Sequence, residues 1–169
     1  MKISLSLKLG IFVVLIFTLV ISVLCLYRPL KFRFYEKDLI RTNAHLGYCA
    51  GIAEEGTRAI PYIIDWIGQE NHVLRTGSIK ILMLMLHNDI HSLDSNMPEL
   101  RKAIANVIDK DRDWCRRFGE IIRSHSYPYV KNREVPRKYH RIYEKALSLL
   151  PPEILRGYGI EIYASARRR

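Results

Sequence analysis

The residues of this chain best suited to chemistry form the cluster His87-x-Asp89-x-His91. Histidine nitrogen and carboxylate oxygen are common ligands of zinc, and side chains four apart share a face when the backbone is helical. The surrounding residues 87–96 are polar, which predicts a loop, and no third histidine lies close by in the sequence. We therefore predict a solvated loop and no metal site.

General acid–base chemistry has one other candidate, Asp65, in the middle of a predicted helix. A catalytic acid needs a partner group in a cleft, whereas Glu54 and Glu55 precede the same helix and suit its amino-terminal dipole. No Ser, Cys or His arrangement has a recognisable catalytic spacing, and the glycines are too sparse for a phosphate-binding loop. We predict that the protein is not an enzyme and binds no cofactor.

The chain has three cysteines, and one of them, Cys25, falls in an apolar run near the amino terminus. Cys49 and Cys115 each lie in an apolar helical pattern, which predicts buried thiols. A disulfide between them would need an oxidising compartment. No Cys-x-x-Cys or Cys/His finger spacing occurs, which argues against a structural zinc site.

The apolar run itself covers residues 9–27 and contains no charged side chain. As a helix it is about 28 Å long, close to the thickness of the hydrocarbon core of a bilayer. It is longer than the apolar region of a signal peptide, and no small-x-small cleavage site follows it. We predict an uncleaved, single-pass transmembrane helix at 9–27, behind a short flank at 1–8.

The positive charge of the chain, +10, suggests how such an anchor is oriented and what it meets. The carboxyl side of the run, which begins with a basic-aromatic linker at 28–36, carries five cations up to residue 41, whereas the amino side carries the α-amine, Lys2 and Lys8. This difference favours a cytoplasmic soluble domain. Cations near a bilayer attract anionic lipid, although simple solubility would also explain them. Because no single helix is predicted to carry an Arg/Lys stripe, we do not expect nucleic-acid binding. The predicted contacts with lipid or a partner are Arg28, Lys31, Arg33, Arg167, Arg168 and Arg169.

An apolar-x-Arg phrase stands near the start of three predicted helices in the rest of the chain. Its copies are Leu39/Arg41, Val73/Arg75 and Trp114/Arg116, so that the arginines are 34 and 41 residues apart. Periods of this size are typical of helical solenoids, in which stacked units bury faces that a single unit would leave exposed. We predict that each copy opens a helix.

Two amphipathic segments alternate with these copies. Residues 57–68 and 97–109 each have apolar side chains at helical spacing and a proline near the start, where a missing N–H costs nothing. We therefore predict one helix over 38–52, followed by two helical hairpins. A last helix is predicted at 137–150. After it, at 153–169, we predict a loosely packed tail that caps or crosses the solenoid.

Residues 59–82, AIPYIIDWIGQENHVLRTGSIKIL, resemble the HEAT repeat family, including its short bacterial members. The resemblance covers about residues 37–124. It implies a ladder in which the arginine that opens each second helix binds a turn residue of a neighbouring repeat. Asn71 stands where an aspartate is commoner, which would weaken the middle rung. The implied ladder arginines are Arg41, Arg75 and Arg116, and the implied turn partners are Asp38, Asn71 and either Asp111 or Asp113.

The sequence thus predicts an all-α fold: a transmembrane helix, a short HEAT-like α-solenoid of five to six helices, and a carboxyl-terminal helix with a basic tail at 125–169. Solenoids offer extended surfaces to proteins. We predict a membrane-anchored interaction or scaffold subunit, an accessory chain of a larger membrane complex. Three alternatives stay open: an immunity-type protein that neutralises a membrane-active toxin, a basic lipid-surface binding module, and the enzyme-accessory role of those bacterial HEAT-like proteins that act as chromophore lyases.

Overall fold

A computed structural model describes residues 5–126 and 137–151, and every regular element within these ranges is helical. The predicted tail at 153–169 and most of the predicted loop at 125–135 lie outside them. The all-α prediction is confirmed for the described residues. The α-helices are α1 (Leu5–Arg41), α2 (Leu46–Ala53), α3 (Ile60–Gly68), α4 (His72–Asn88), α5 (Met97–Ile108), α6 (Arg112–Ser126) and α7 (Arg137–Leu147).

The chain forms two compact units, Met1–Lys37 and Asp38–Arg169. In the first unit, the side chains of residues 9–23 are all exposed along α1. The Thr18 hydroxyl donates to the Val14 carbonyl at 2.9 Å, which satisfies that polar group within the helix. By length and composition, α1 contains one segment able to span a membrane.

The residues predicted as a linker, 28–36, are part of α1, which continues through Pro29. Proline removes one helical hydrogen bond, but good helix formers follow it and the helix persists. The Tyr35 ring meets Phe32 edge-on at 5.6 Å, and the Lys31 ammonium lies 5.6 Å from the centre of the same ring. Phe34 is instead 64% exposed.

A tight turn ends α1, and it contradicts the helix predicted over 38–52. The Ala44 N–H donates to the Leu39 carbonyl at 2.8 Å, and the Asn43 N–H donates to the Ile40 carbonyl at 3.3 Å. This is a Schellman-type ending, with Asn43 and Ala44 at φ 52° and 51°. The first copy of the Arg phrase therefore closes a helix, because α1 propagates through it, whereas the other two copies open α4 and α6.

The described part of the second unit, residues 38–126 and 137–151, is called the body below. Its helices pack as two hairpins, α3 with α4 and α5 with α6, and the hairpins meet through α3 against α5 and α4 against α6. In addition, α2 packs on α4, and α7 packs on both α4 and α6. The central helix α4 is consequently buried on most sides.

The two amphipathic segments form helices close to the predicted bounds. The predicted helix at 97–109 is α5, and its apolar stripe, including Leu100, Ile104 and Val107, is buried. The predicted helix at 57–68 begins with a 3-10 turn, Gly56–Ala59, and becomes α-helical at Ile60, one residue before its proline. Proline suits this first turn because its missing N–H would have no helical partner there.

The predicted helix at 137–150 is α7 followed by a turn. It buries Ile142, Tyr143, Ala146 and Leu147, and the turn buries Leu149 and Leu150. The α-helix ends at Leu147, and in the turn that follows the N–H groups of Leu149 and Leu150 donate to the carbonyls three residues earlier, at 3.1 and 2.9 Å. Pro151 then disfavours a helical conformation of the residue before it.

Candidate functional site

The most highly connected polar group of the body is Arg75. The Asn71 side chain starts α4 by accepting the N–H groups of Val73 and Leu74 at 2.9 and 3.4 Å, which places Arg75 in the first turn. Arg75 is only 7% exposed. Its Nε donates to the Ile67 carbonyl at 3.2 Å, so that the side chain closes its own hairpin against the end of α3.

The same guanidinium reaches the second hairpin through Asp111. Its Nη1 donates to Asp111 Oδ2 at 3.1 Å, and its central carbon lies 6.0 Å from the centre of the Trp114 ring. The other carboxylate oxygen, Oδ1, accepts the Trp114 N–H at 3.0 Å and so caps α6. One carboxylate thus starts α6 and ties it to α4; we call this contact the Arg75 bridge. Lysine could not make both bonds, because it lacks the planar fork of donors.

The other residues implied for the ladder are placed differently. Arg41 pairs with Asp38 of its own helix at 2.9 Å, and its side chain is 71% exposed. Arg116 and Asp113 are exposed on α6. Asn71 serves as the cap of α4. The three arginines that look equivalent in sequence therefore occupy three different environments, and Arg75 alone among them is buried.

A second cluster surrounds the carbonyl of Ala44. The one local signal for it in the sequence is Gly77, a glycine inside a helix. Lys80 Nζ donates to this oxygen at 2.9 Å, and Cys49 Sγ lies 3.7 Å from it. A Cβ on Gly77 would lie 3.3 Å from the Ala44 Cβ, so glycine permits the close approach of α4 to the turn.

Cys49 is buried, as predicted. Burial raises the pKa of its thiol to about 11, against an opposing effect of the Lys80 ammonium. A thiol in this state is a poor nucleophile, because the thiolate is the reactive form. The side chain of Cys115 lies outside the described residues.

The three residues of the candidate metal cluster go to different partners. His87 lies in the last turn of α4, so the loop begins later than predicted, and its ring packs 5.7 Å from that of Tyr139. The Asp89 carboxylate accepts the N–H of His91, and His91 Nδ1 lies 2.9 Å from Asp94 Oδ2. Among the described residues, no group of three or more potential ligands is placed to hold a metal.

Asp94 also binds Lys145, so this loop is tied to α7. Hydrogen bonds from Lys145 and His91 hold the pKa of the Asp94 carboxyl below its usual range. Arg101 Nε donates to the Ser148 carbonyl at 2.6 Å and fixes the same end of α7.

The predicted membrane-facing cations and the candidate acid are mostly at the surface. Arg28 and Arg33 are exposed, Lys31 covers Tyr35, and Arg167, Arg168 and Arg169 lie outside the described residues. The Asp65 carboxylate accepts a hydrogen bond from the Gln69 amide at 3.1 Å on the surface.

Three large apolar side chains are exposed around the turn between α1 and α2. They are Ile40, Leu46 and Tyr48, which are 44%, 46% and 43% exposed. All other large apolar side chains of the body, as far as the structure describes it, are buried or half-buried. We call these three residues the turn patch. The sequence did not predict it, because the segment was interpreted as one continuous helix.

Comparisons of the chain with models of protein families, with curated proteins and with solved structures found no match. Function is therefore inferred from α1, the Arg75 bridge, the turn patch and the distribution of charge.

Proposed function

We propose that the protein is a membrane-anchored interaction subunit, in which α1 spans the bilayer and the body holds a protein partner at the turn patch. The turn patch is the observation that carries this proposal. Single exposed apolar residues are common on soluble proteins, whereas several close together in the chain favour a docking site. Here three occur within nine residues, on a body that covers its other large apolar side chains.

The anchor is supported by the surface of α1. Its apolar side chains are exposed in all directions along residues 9–23. Leaving one such side chain in water costs about 1.5–3 kcal/mol relative to burial, so the whole surface needs an apolar solvent. Lipid provides one. The cations that follow the apolar run favour a cytoplasmic location for the body.

The HEAT-like arrangement is supported by the way the hairpins stack. First helices pack on first helices, α3 on α5, and second helices pack on second helices, α4 on α6. The Arg75 bridge crosses between the hairpins, as the rung of a repeat ladder would. This stacking offers a stiff frame on which a small docking surface keeps its shape.

The choice of the turn patch over the inner face follows from α7. The second helices of the two hairpins, α4 and α6, would offer a surface to a partner, but α7 packs across both of them. A partner must therefore dock elsewhere. The turn patch is preorganised, because the Schellman ending and the Lys80 bond to Ala44 fix the backbone between Ile40 and Leu46.

The experiment is purification of the full-length protein from its native membrane in mild detergent, followed by mass measurement of what accompanies it. We expect a defined partner to accompany the wild type and to be lost from the Leu46→Ser/Tyr48→Ser variant. Glu99→Ser, at an exposed position on α5, is the matched control and should retain the partner. A wild-type protein that elutes alone, or a patch variant that keeps its partner, would contradict the proposal.

A further inference from the structure

Charge is unevenly distributed along the body. Residues 38–96 contain four basic and seven acidic residues, a net charge of −3, whereas residues 97–126 and 137–151 contain eleven basic and six acidic residues, a net charge of +5. The first hairpin and α2 are therefore acidic, and the part of the chain from α5 to α7 is basic. The loop of the acidic part is in contact with the basic part, because Asp94 pairs with Lys145 of α7, so the position of each exposed cation has to be considered helix by helix.

The positive charge is most concentrated on α7, which was not predicted to carry a basic stripe. Its inner side buries Ile142, Tyr143, Ala146 and Leu147. Its outer side exposes Arg137, Lys138 and Arg141, with Glu144 as the one exposed acid of the helix. The cations at 137 and 141 are four apart and so lie one above the other on the helix. The sequence-based expectation that no helix has a basic stripe is therefore wrong for α7.

The basic side of α7 is held in a fixed orientation. The half-buried Lys145 forms an ion pair with Asp94. Just beyond the helix, Arg101 donates a hydrogen bond to the Ser148 carbonyl. Beside them, Arg141 and Glu144 border a shallow, open groove of about 360 Å³ with Ile90 and His91. The groove is shallow and the outer side of α7 is convex. This side therefore suits an extended anionic surface better than a partner protein that inserts a side chain.

We propose that the outer face of α7, formed by Arg137, Lys138 and Arg141, binds the anionic headgroups of the bilayer that holds the protein. This inference rests on the proposed anchoring of α1. Because the anchor keeps the body within reach of headgroups, even weak attraction acts at high effective concentration. Arginine suits this role, since its fork of donors matches phosphate oxygens.

The expected strength follows from the net charge of the face. Each cation near an anionic membrane strengthens binding about fivefold. Three cations, offset by the one negative charge of Glu144, therefore raise the equilibrium constant for binding of this face to the membrane about 30-fold. Screening should remove most of this effect in 0.5 M salt, where the Debye length is about 4 Å, against about 8 Å at physiological ionic strength.

The test uses the full chain in nanodiscs of phosphatidylcholine alone or with 30% phosphatidylglycerol. A donor fluorophore at Glu144→Cys, with the three natural cysteines replaced by serine, reports energy transfer to acceptor-labelled headgroups. We expect transfer to rise with the anionic lipid and to fall in 0.5 M salt. The variant Arg137→Gln/Lys138→Gln/Arg141→Gln should lose the rise.

The matched control removes the same charge elsewhere on the basic half, as Lys102→Gln/Arg116→Gln/Arg117→Gln, all at exposed positions of α5 and α6. It should keep most of the rise. Equal loss in both triple variants, or no response to anionic lipid, would overturn the inference. The inference would also be overturned if the outer face of α7 cross-linked to an acidic protein in native membranes and showed no approach to headgroups in nanodiscs. Failure of the anchoring itself is seen separately, as protein that does not enter nanodiscs.

Discussion

Removing the carboxylate of Asp111 tests the Arg75 bridge, because its two oxygens have separate tasks. Oδ2 pairs with a guanidinium that is almost fully buried, and Oδ1 caps α6. Asp111→Ala removes both contacts, whereas Asp111→Asn keeps an oxygen for the cap and removes the ion pair. The two variants should therefore differ by the free energy of the cap.

The magnitude depends on how far the bridge is exposed. Breaking a fully buried pair costs about 3–5 kcal/mol, and breaking an exposed one costs about 0–1 kcal/mol. The Arg75 side chain is 8% exposed and that of Asp111 is 42% exposed, so the pair falls between these cases. We expect a loss of about 1–2 kcal/mol in the free energy of unfolding for Asp111→Asn. A further loss of about 1 kcal/mol is expected for Asp111→Ala, from the missing cap.

Urea unfolding of the full chain in nanodiscs, followed by tryptophan emission, measures these losses. Both tryptophans of the chain, Trp66 and Trp114, are buried in the body and report its unfolding. Asp109→Ala, an exposed change two residues earlier, is the control and should stay within about 0.5 kcal/mol of the wild type. Equal losses for Asn and Ala would refute the separate cap, and a loss below about 0.5 kcal/mol for Ala would refute the bridge.

Three further predictions concern the contacts around α4 and α7. Gly77→Ala should destabilise the body by about 1 kcal/mol, since crowding outweighs the gain in helix propensity, whereas Gly119→Ala, with open space around its Cβ, should stabilise it by about 0.5–1 kcal/mol in the same urea assay. Cys49 should resist maleimide at neutral pH in a variant that lacks the other cysteines. Rapid labelling of the native protein would contradict this. Because folding raises the pKa of the thiol from 9.0 to about 11, the stability that Cys49 contributes is complete below pH 9 and lost as the pH rises through 11, so Cys49→Ala should lose less stability than the wild type over this range. Asp94→Asn should lower the urea midpoint at neutral pH, and the difference should vanish in acid as the lowered pKa of Asp94 is passed, because protonation also breaks its contact with Lys145; a difference independent of pH would refute the ion pair.

The helices of the hairpins could be predicted because their signals are local. Pro61 and Pro98 mark the first turns of α3 and α5, and the apolar residues that follow recur at helical spacing on one face. Asn71 is a good cap by residue type, and it acts as one. Such features depend on neighbours within a few residues and hardly on the rest of the fold.

The different positions of the three arginine phrases could not be predicted from the phrases themselves. Leu39-x-Arg41 belongs to a helix that starts far upstream, so its place at a helix end depends on where α1 stops. The helix can stop there only if Ala44 adopts a positive φ, a conformation that alanine disfavours. Lys80, which is distant in sequence, helps to fix it by donating a hydrogen bond to the Ala44 carbonyl.

The candidate surfaces were hard to predict for a related reason. Exposure of Leu46 and Tyr48 depends on what packs against α2, and that is decided by α4 rather than by the local pattern. The basic side of α7 is visible in the letters RKYHR, but only the burial of Ile142 and Tyr143 shows which side remains outside.

The position of α7 across both α4 and α6 also limits how the architecture can vary. In an open array each unit contacts only its neighbours, so units can melt singly and be duplicated or deleted at little cost. Here α4 contacts α2, α3, α6 and α7, and α7 joins the two hairpins. The body should therefore melt in one cooperative step. A third hairpin could be inserted after α6 only if α7 no longer packed on α4 and α6. The packing of α7 thus closes the array and prevents further hairpins from being added at this end.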